Sequence, residues 1–407
     1  MTSEAHARRP GIPASIWTLG FVSLFTDMGS EIVHSLLPVL LAGTLGASAL
    51  TIGLIEGAAE ALVLVTKVFS GYLSDATGRR KPLVLLGYGL AAAVKPLFPL
   101  ADSVATVMTA RLLDRFGKGV RGAPRDALVS DLAPEQIRGA CFGLRQSMDT
   151  VGAVLGPLIA VGLMWVFVDD IRTVLWFAVI PGIISVLLLL RVPEPADAER
   201  RPARLPLSRR GLASLGPAFW RLAALGALIA LARFSEAFLV LRAADRGLQL
   251  TLIPLVLVVM SVVYSISAYP AGRLSDSLSR PVFLALGMLV LIGADVALAL
   301  ANGYGLLFAG IALWGLHMGL TQGILASMIA DVAPVAHRGT AFGIFNLLSG
   351  AALLLASGLA GWLWDIYGPA MTFWAGASLA TLAVISIPLL SARRAGAGSK
   401  GMRPGRE

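Results

Sequence analysis

The sequence predicts an all-α membrane protein with 12 transmembrane helices in two pseudo-symmetric six-helix bundles. Three observations lead to this fold class: the apolar composition, twelve apolar segments of spanning length, and an internal repeat. Of the 407 residues, 57 % are hydrophobic and only 14 % are charged, whereas soluble domains are about a quarter charged. An ordinary cytosolic enzyme is therefore excluded. The single cysteine, Cys141, also excludes an internal disulfide and a multi-cysteine metal site.

The apolar segments each approach or exceed the length of about 20 residues that a spanning helix needs. The fourth segment is interrupted by charged residues, but we count it as a span because those charges fall on one face of the helix. The segments are 16–42, 49–72, 82–101, 104–131, 138–167, 171–191, 217–242, 250–271, 281–301, 304–332, 339–363 and 369–391.

Basic residues in the connections predict the orientation. Lys and Arg concentrate in cytoplasmic loops, and here they recur in every second connection and in both tails. The predicted organisation is a cytoplasmic tail (1–15), a first bundle (16–191), a cytoplasmic linker (192–216), a second bundle (217–391) and a second cytoplasmic tail (392–407). The net charge of +9 is thus attributed to topology. Nucleic-acid binding is not expected, because no concentrated basic face is present.

An internal repeat supports two parallel halves. The residues Asp131 to Pro134, Arg138-Gly139 and Phe142-Gly143 recur 200 residues later, beginning at Asp331. A second block, Gly71-Tyr-Leu-Ser-Asp75, recurs in degenerate form 201 residues later. Both copies fall on the predicted cytoplasmic side, as expected for parallel repeats.

With these motifs the chain resembles the major facilitator superfamily of transporters. The stretch from Gly71 to Arg80 matches that family's signature loop between helices 2 and 3, and the resemblance implies a cytoplasmic gate that latches the two halves. The gate residues are Gly71, Asp75, Gly78, Arg79 and Arg80, with Asp276 and Arg280 in the second copy.

The fifth segment resembles the helix-5 motif of the family's antiporters, through Gly152, Gly156 and Pro157. The resemblance favours export; the alternative is a plain close-packing seam between helices. The chain also looks like a poorly characterised branch with Asp-x-x-x-Glu in helix 1 and Gly-Lys-Gly-x-Arg-x-x-Pro-Arg-Asp in helix 4. Here these are Asp27…Glu31 and Gly117 to Asp126.

The fourth segment carries an ionic stripe. Its charged residues fall within an arc of about 140° on a helix, and a charge at the bilayer centre costs on the order of 3 kcal/mol or more. The stripe must therefore face a water-filled cavity or partner side chains. Residues near mid-membrane are the preferred proton-coupling or substrate residues, and the alternative is that the ion pairs only fix helix register. Candidates are Asp27, Glu31, His34, Glu56, Glu60, Arg115, Lys118, Arg121, Arg145, Asp149, Arg233, Glu236, His317, Gln322 and Asn346.

Several other charged residues are interpreted as structural. Arg111, Arg125 and Asp126 lie nearer the ends of their segment, and Asp295 falls on a peripheral helix. Lys95 is expected to pair locally or to extend toward the membrane surface.

Motifs for catalysis, nucleotide binding, metal binding and cofactor binding are not found, so no catalytic residue, cofactor or metal is assigned. The sequence predicts a secondary transporter, not an enzyme. Its preferred form is a proton-coupled antiporter that exports a small polar or anionic solute or drug. Proton-coupled uptake of an organic anion and a non-transporting sensor or scaffold are the alternatives. The expected partners are the solute, protons and the lipid bilayer, for a monomer in a bacterial inner membrane.

Overall fold

The computed structural model describes residues 11–194, 212, 214–277, 279–334 and 337–391. Within these ranges the regular structure is helical, and eleven helical segments are long and apolar enough to cross a membrane. One further helix of spanning length, Val104–Leu132, carries the ionic stripe. The predicted fold class is confirmed.

The twelve spans are labelled α1 to α12 by their main helices. Six of them have an additional short piece: Leu40–Thr44 after α1, Leu97–Leu100 after α3, Glu135–Ile137 before α5, Ile171–Trp176 before α6, Ala237–Asp245 after α7 and Leu250–Leu252 before α8. The main helices are α1 Ala14–Val39, α2 Ala49–Thr77, α3 Lys81–Val94, α4 Val104–Leu132, α5 Arg138–Val166, α6 Val179–Leu190, α7 Pro217–Ala232, α8 Leu255–Ser277, α9 Arg280–Leu300, α10 Tyr304–Val332, α11 Arg338–Tyr367 and α12 Pro369–Ser391.

Polar caps begin helices at the short turns. The Ser103 hydroxyl accepts a hydrogen bond from the Thr106 amide at the start of α4. Asp170 caps the short helix before α6 by accepting from the Arg172 and Thr173 amides. A hydrogen bond from the Thr173 hydroxyl, together with these amides, lowers the pKa of Asp170.

Contacts divide the chain into two compact units. The first contains Met1–His34 and Thr66–Ala203, and the second contains Ser35–Val65 and Arg204–Glu407. The end of α1 and the first half of α2 thus group with the second unit. The predicted linker (192–216) instead divides the chain after all of α1 and α2.

Close packing of α2 on α11 explains this grouping. A Cβ at Gly53 would lie 2.1 Å from the Ser357 carbonyl oxygen, so the two helices touch through their backbones. Asp365 at the end of α11 accepts hydrogen bonds from the Ala49 and Leu50 amides at 3.0 and 2.9 Å. This carboxylate therefore caps α2 from a different helix.

Each unit repeats the same internal packing. In the first unit α3 packs against α4 and α6, and in the second unit α9 packs against α10 and α12. These are equivalent pairs in the sequence repeat. In the second unit, α10 also packs closely against α8, where Gly315 lies against the Met260 backbone.

Replacing Gly315 with alanine is expected to destabilise the second unit. The new Cβ would lie 2.3 Å from the Met260 carbonyl oxygen, and α8 backbone cannot yield as a side chain can. Overpacking of this kind costs about 1–3 kcal/mol. Thermal unfolding in detergent measures the effect. The matched control is Gly305→Ala on the same helix, where no atom lies within 4 Å of the new Cβ; an equal melting temperature for both variants would contradict this packing.

Candidate functional site

The charged stripe of α4 lies in the interior of the first unit. Arg111, Asp114, Arg115 and Arg121 are each no more than 5 % exposed, which is rare for such residues unless they are paired. Lys118 differs because it is exposed, although it shares the same helix. Lys118 is therefore the most accessible base of this stripe.

Glu31 of α1 faces this stripe. Its Oε2 lies 3.3 Å from Nδ1 of His34, one turn further along the helix. Lys118 and Arg115 are close enough to act electrostatically on the Glu31 carboxyl group. Glu31 is thus surrounded by basic groups.

Asp27 of α1 and Asp149 of α5 are close enough to act electrostatically on each other. Oδ1 of Asp149 also lies 3.7 Å from Nη1 of Arg145 and 3.9 Å from Nη1 of Arg125. Lys118 acts electrostatically on both carboxyl groups. The predicted candidates of α1, α4 and α5 therefore come together in one network.

Two glycines of the helix-5 motif bring α5 against α1. A Cβ at Gly152 would lie 2.4 Å from the Leu24 carbonyl oxygen, and one at Gly156 would lie 2.5 Å from the Met28 carbonyl oxygen. The two helices therefore touch through their backbones at two successive turns. We call this contact the α1–α5 seam.

Lys95 extends the network to α3, which the sequence did not indicate. Its side chain is 1 % exposed, and Nζ lies 3.2 Å from the Ser30 hydroxyl and 3.9 Å from the Asp114 carboxylate. Nε of Arg115 approaches the other Asp114 oxygen at 3.5 Å. Gly29 and Gly182 lie against the lysine stem, where side chains would fill its space. Lys95 is thus buried and pairs with α1 and α4.

The remaining bases of α4 have their own partners. The Arg121 guanidinium lies over the Tyr88 ring of α3, 4.5 Å from its centroid, in a cation–π contact. Arg125 donates to Asp126 at 3.1 Å, next to it in the chain.

A second cluster surrounds Arg80 at the turn between α2 and α3. Arg80 is buried and donates to Asp131 at 2.9 Å, to Asp75 at 2.8 Å and to the Ser74 hydroxyl at 2.9 Å. Although burial alone would lower it, the hydrogen bonds to Asp75 and Asp131 raise the pKa of Arg80. Gly78 has a φ of +66°, which glycine adopts without strain, and this turn directs the chain toward Arg80.

The second unit contains the counterpart of one of these contacts. Arg280 forms an ion pair with Asp331, each 200 residues after its equivalent, Arg80 and Asp131. The side chain of Asp276 lies outside the described residues. The predicted gate motif identified Arg80 and Asp75, and the repeat had already marked Asp131 and Asp331, but the sequence did not show that these residues pair.

The comparisons with known proteins identify the family. Residues 19–243 and 235–406 match the Major Facilitator Superfamily. The chain belongs to this superfamily. It is 30 % identical over 375 residues to the "Uncharacterized MFS-type transporter MJ1317" of Methanocaldococcus jannaschii, covering 90 % of this chain and 92 % of that protein. It is 26 % identical over 395 residues to the "Inner membrane transport protein YajR" of Escherichia coli K12, covering 92 % and 82 %.

A solved structure agrees in fold. A crystal structure of a POT family transporter in complex with a thioalcohol conjugated peptide matches with a TM-score of 0.79 at 14 % identity, covering 94 % of this chain and 96 % of that one. At this identity the likeness concerns the fold alone. The protein is thus a multi-pass integral membrane protein of a transporter superfamily whose members bind small-molecule substrates.

The other candidates of this superfamily member lie in the second unit. Glu56 and Glu60 belong to it, as part of α2. Arg233 and Glu236 flank a break in α7, where the Ser235 amide donates to the Ser357 hydroxyl at 3.1 Å.

Nδ1 of His317 lies 2.8 Å from the Gly287 carbonyl oxygen, and its ring is fully buried. Asn346 is half-buried on α11, and the side chain of Gln322 lies outside the described residues. Among the described residues, none of the groups of His, Cys, Asp and Glu could hold a metal ion.

Replacing Arg80 with alanine is expected to lower the free energy of unfolding of the first unit by about 2 kcal/mol, since it removes hydrogen bonds to two carboxylates. Arg79→Ala is the control, because Arg79 is exposed next to it in the same loop. Melting temperatures in detergent measure the difference. Equal melting temperatures for the two variants would show that the Arg80 contacts add nothing to stability.

Proposed function

We propose that this superfamily member is a proton-coupled antiporter that exports a small polar or anionic solute or drug. It works by alternating access, as a monomer in a bacterial inner membrane with both termini in the cytoplasm. The observation that carries the proposal is the exposed Lys118, which acts electrostatically on the carboxyl groups of Asp27, Glu31 and Asp149 within a bundle of apolar helices. Ionisable groups inside a membrane commonly mark ion and substrate paths.

Proton coupling follows from the acids. Protonation of Asp27, Glu31 or Glu60 removes a negative charge and weakens the ionic contacts of that residue. If the contacts differ between the inward-open and outward-open conformations, their weakening shifts the equilibrium between the two. The helix-5 glycines favour exchange of solute for protons over uptake. The Arg80 cluster serves as the cytoplasmic gate.

The basic surplus supports a polar or anionic solute. In α1, α3, α4 and α5 the basic side chains outnumber the acidic ones, so the network retains positive charge. A hydrophobic drug does not need such a surface, whereas an anion gains from it.

The same surplus supports a second candidate, uptake of an organic anion together with protons. The two candidates differ in how proton binding affects solute binding. In an exchanger the proton and the solute compete, so solute affinity rises with pH. In a symporter they bind together, so solute affinity falls with pH. The pH dependence of solute binding therefore separates them.

The experiment begins with the purified protein and a library of solutes, because a ligand that binds only the folded state raises the melting temperature. A hit is then followed in everted vesicles with an imposed pH gradient. Export appears as accumulation inside the vesicles that collapses with the gradient. Loss of solute from the vesicles would favour symport, and flux equal to that of vesicles lacking the protein would support a sensor or scaffold.

A further inference from the structure

We propose that Asp295 of α9 is a proton-binding site in the second unit, and that its carboxyl group is protonated in neutral buffer while α12 covers it. The inference goes beyond the proposed function, because Asp295 lies outside the ionic network of the first unit and its test needs no solute. The position on a peripheral helix favours a structural role, but such a role would need a partner side chain.

Asp295 is a fully buried carboxyl group. Its exposed fraction is 0 %, and aspartate is almost never fully buried unless it is paired. Among the residues that the structure describes, neither carboxyl oxygen has a hydrogen-bond partner. A buried polar group of this kind calls for a specific explanation, and a purely structural role does not supply one.

The carboxyl group of Asp295 meets α12 and the break in α7. A Cβ at Gly376 would lie 2.6 Å from Oδ2 of Asp295 and 2.9 Å from Cε1 of Phe234, so the carboxyl group and the ring edge converge on this glycine. Phe234 in turn packs against Trp314 of α10 and Phe373 of α12, with ring centroids 5.2 and 5.6 Å apart. The cavity that Phe234 and Gly376 also line has no charged side chain among its described lining residues. The surroundings of Asp295 are therefore apolar and largely aromatic.

The ionisable groups of the two helices that pack most closely on α9 do not neutralise Asp295. The helix α12 carries none. In α10, Nδ1 of His317 lies 2.8 Å from the carbonyl oxygen of Gly287, two turns before Asp295 in α9. The other ionisable residues of α10, Tyr304 and Asp331, lie at the two ends of that helix.

Charged groups of α7, α8 and the start of α9 also leave Asp295 without a counter-charge. Arg242 donates to carbonyl oxygens at the end of α9 and to Asp245. Arg233 and Glu236 flank the break in α7, and neither is hydrogen-bonded to the Asp295 carboxyl group. The remaining charged residues of α8 and α9 come near the start of α9, about 22 Å before Asp295 along the helix: Arg273, Asp276 and Arg280.

Protonation removes the cost of an isolated buried charge. An ionised carboxylate in an apolar interior is far costlier than the neutral acid, so a group without a counter-charge keeps its proton. Release breaks one O–H bond, passes the proton to water and leaves a carboxylate. That carboxylate would need water or a cation where α12 now lies against Oδ2 at Gly376. Proton release is thus linked to movement of α12 away from α9, a pH-sensitive step in the second unit.

Infrared spectroscopy of the purified protein in lipid tests the protonation state. The carbonyl stretching band of protonated carboxyl groups is compared between the wild-type protein and Asp295→Asn in neutral buffer. We expect the variant to lose the intensity of one carboxyl group from this band. The matched control is Asp245→Asn, which also adds one amide group. Because the Asp245 carboxylate is ion-paired with Arg242 and Arg246, this control should keep the full intensity of the band.

Thermal unfolding provides a second readout. The unfolded chain exposes Asp295 to water, where the carboxyl group is ionised above mildly acid pH, so the folded state binds the extra proton and loses stability as pH rises. The melting temperature of the wild-type protein should therefore fall more steeply from mildly acid to alkaline buffer than that of Asp295→Asn. Asp295→Ser, whose side chain is smaller, repeats both measurements if the asparagine variant does not fold.

Two outcomes would overturn the proposal: a protonated-carboxyl band of equal intensity in the wild-type protein and the Asp295 variants, or melting temperatures that change in parallel across this pH range. Either result would mean that Asp295 is ionised in the folded protein. The proposed function is tested separately, because neither measurement involves transport.

Discussion

Replacing Lys118 with methionine is expected to lower solute flux by about 10- to 100-fold, the loss that corresponds to one hydrogen bond with a charged partner. Lys118 is exposed and lies near three carboxyl groups, Asp27, Glu31 and Asp149. Its removal takes away a positive charge that acts on all three groups. Flux of a thermal-shift hit in proteoliposomes measures the effect, at matched protein density.

The control for this prediction is Lys67→Met. Lys67 is exposed on α2 and its stem lies against Gly122, so it is a basic residue of the same unit outside the carboxyl network. Lys118→Arg, which preserves the charge, should retain part of the flux. If Lys118→Met and Lys67→Met transport equally well, Lys118 has no part in the transport site.

Replacing Gly152 with alanine is expected both to destabilise the first unit by about 1–3 kcal/mol and to uncouple flux from the pH gradient. The new Cβ would lie 2.4 Å from the Leu24 carbonyl oxygen and 3.1 Å from the Leu24 Cα. Because these are backbone atoms, the alanine can be accommodated only if the backbones of α1 and α5 move apart. The shift changes the spacing between α1, which carries Asp27, and α5, which carries Asp149. A comparison of flux with and without a pH gradient measures the coupling directly.

Gly162→Ala is the matched control on the same helix, because nothing lies within 4 Å of the Cβ it would add. It should leave both stability and coupling unchanged. If transport by Gly152→Ala still responds fully to the pH gradient, the α1–α5 seam is not needed for proton coupling, whatever the melting temperature of the variant.

Composition and periodicity were sufficient to predict the fold class. The apolar segments are long, and hydrocarbon leaves helices as the simplest way to satisfy backbone hydrogen bonds. The break in α7 was not predicted, because its residues from Arg233 to Glu236 include neither Gly nor Pro. A tertiary contact marks it instead: the Ser357 hydroxyl accepts a hydrogen bond from the amide of Ser235.

Spacing along one helix indicated which charges face inward, but not which of them meet. The i, i+4 spacing of Arg145 and Asp149 predicted their contact, and the structure gives 3.7 Å. The electrostatic interaction between Asp27 and Asp149 depends on how closely α5 approaches α1, which Gly152 sets and which no single-helix pattern encodes. For the same reason Lys95 was interpreted locally, although Gly29 and Gly182, far from it in sequence, open the space it occupies.

The most direct test of the central claim is solute movement in proteoliposomes that contain only this protein, under an imposed pH gradient. We expect a solute that raises the melting temperature to move against its own concentration gradient, a protonophore to abolish this movement, and the double variant Asp27→Asn/Glu31→Gln to leave only downhill exchange. Uphill movement that persists in the double variant, or wild-type flux that ignores the pH gradient, would contradict it.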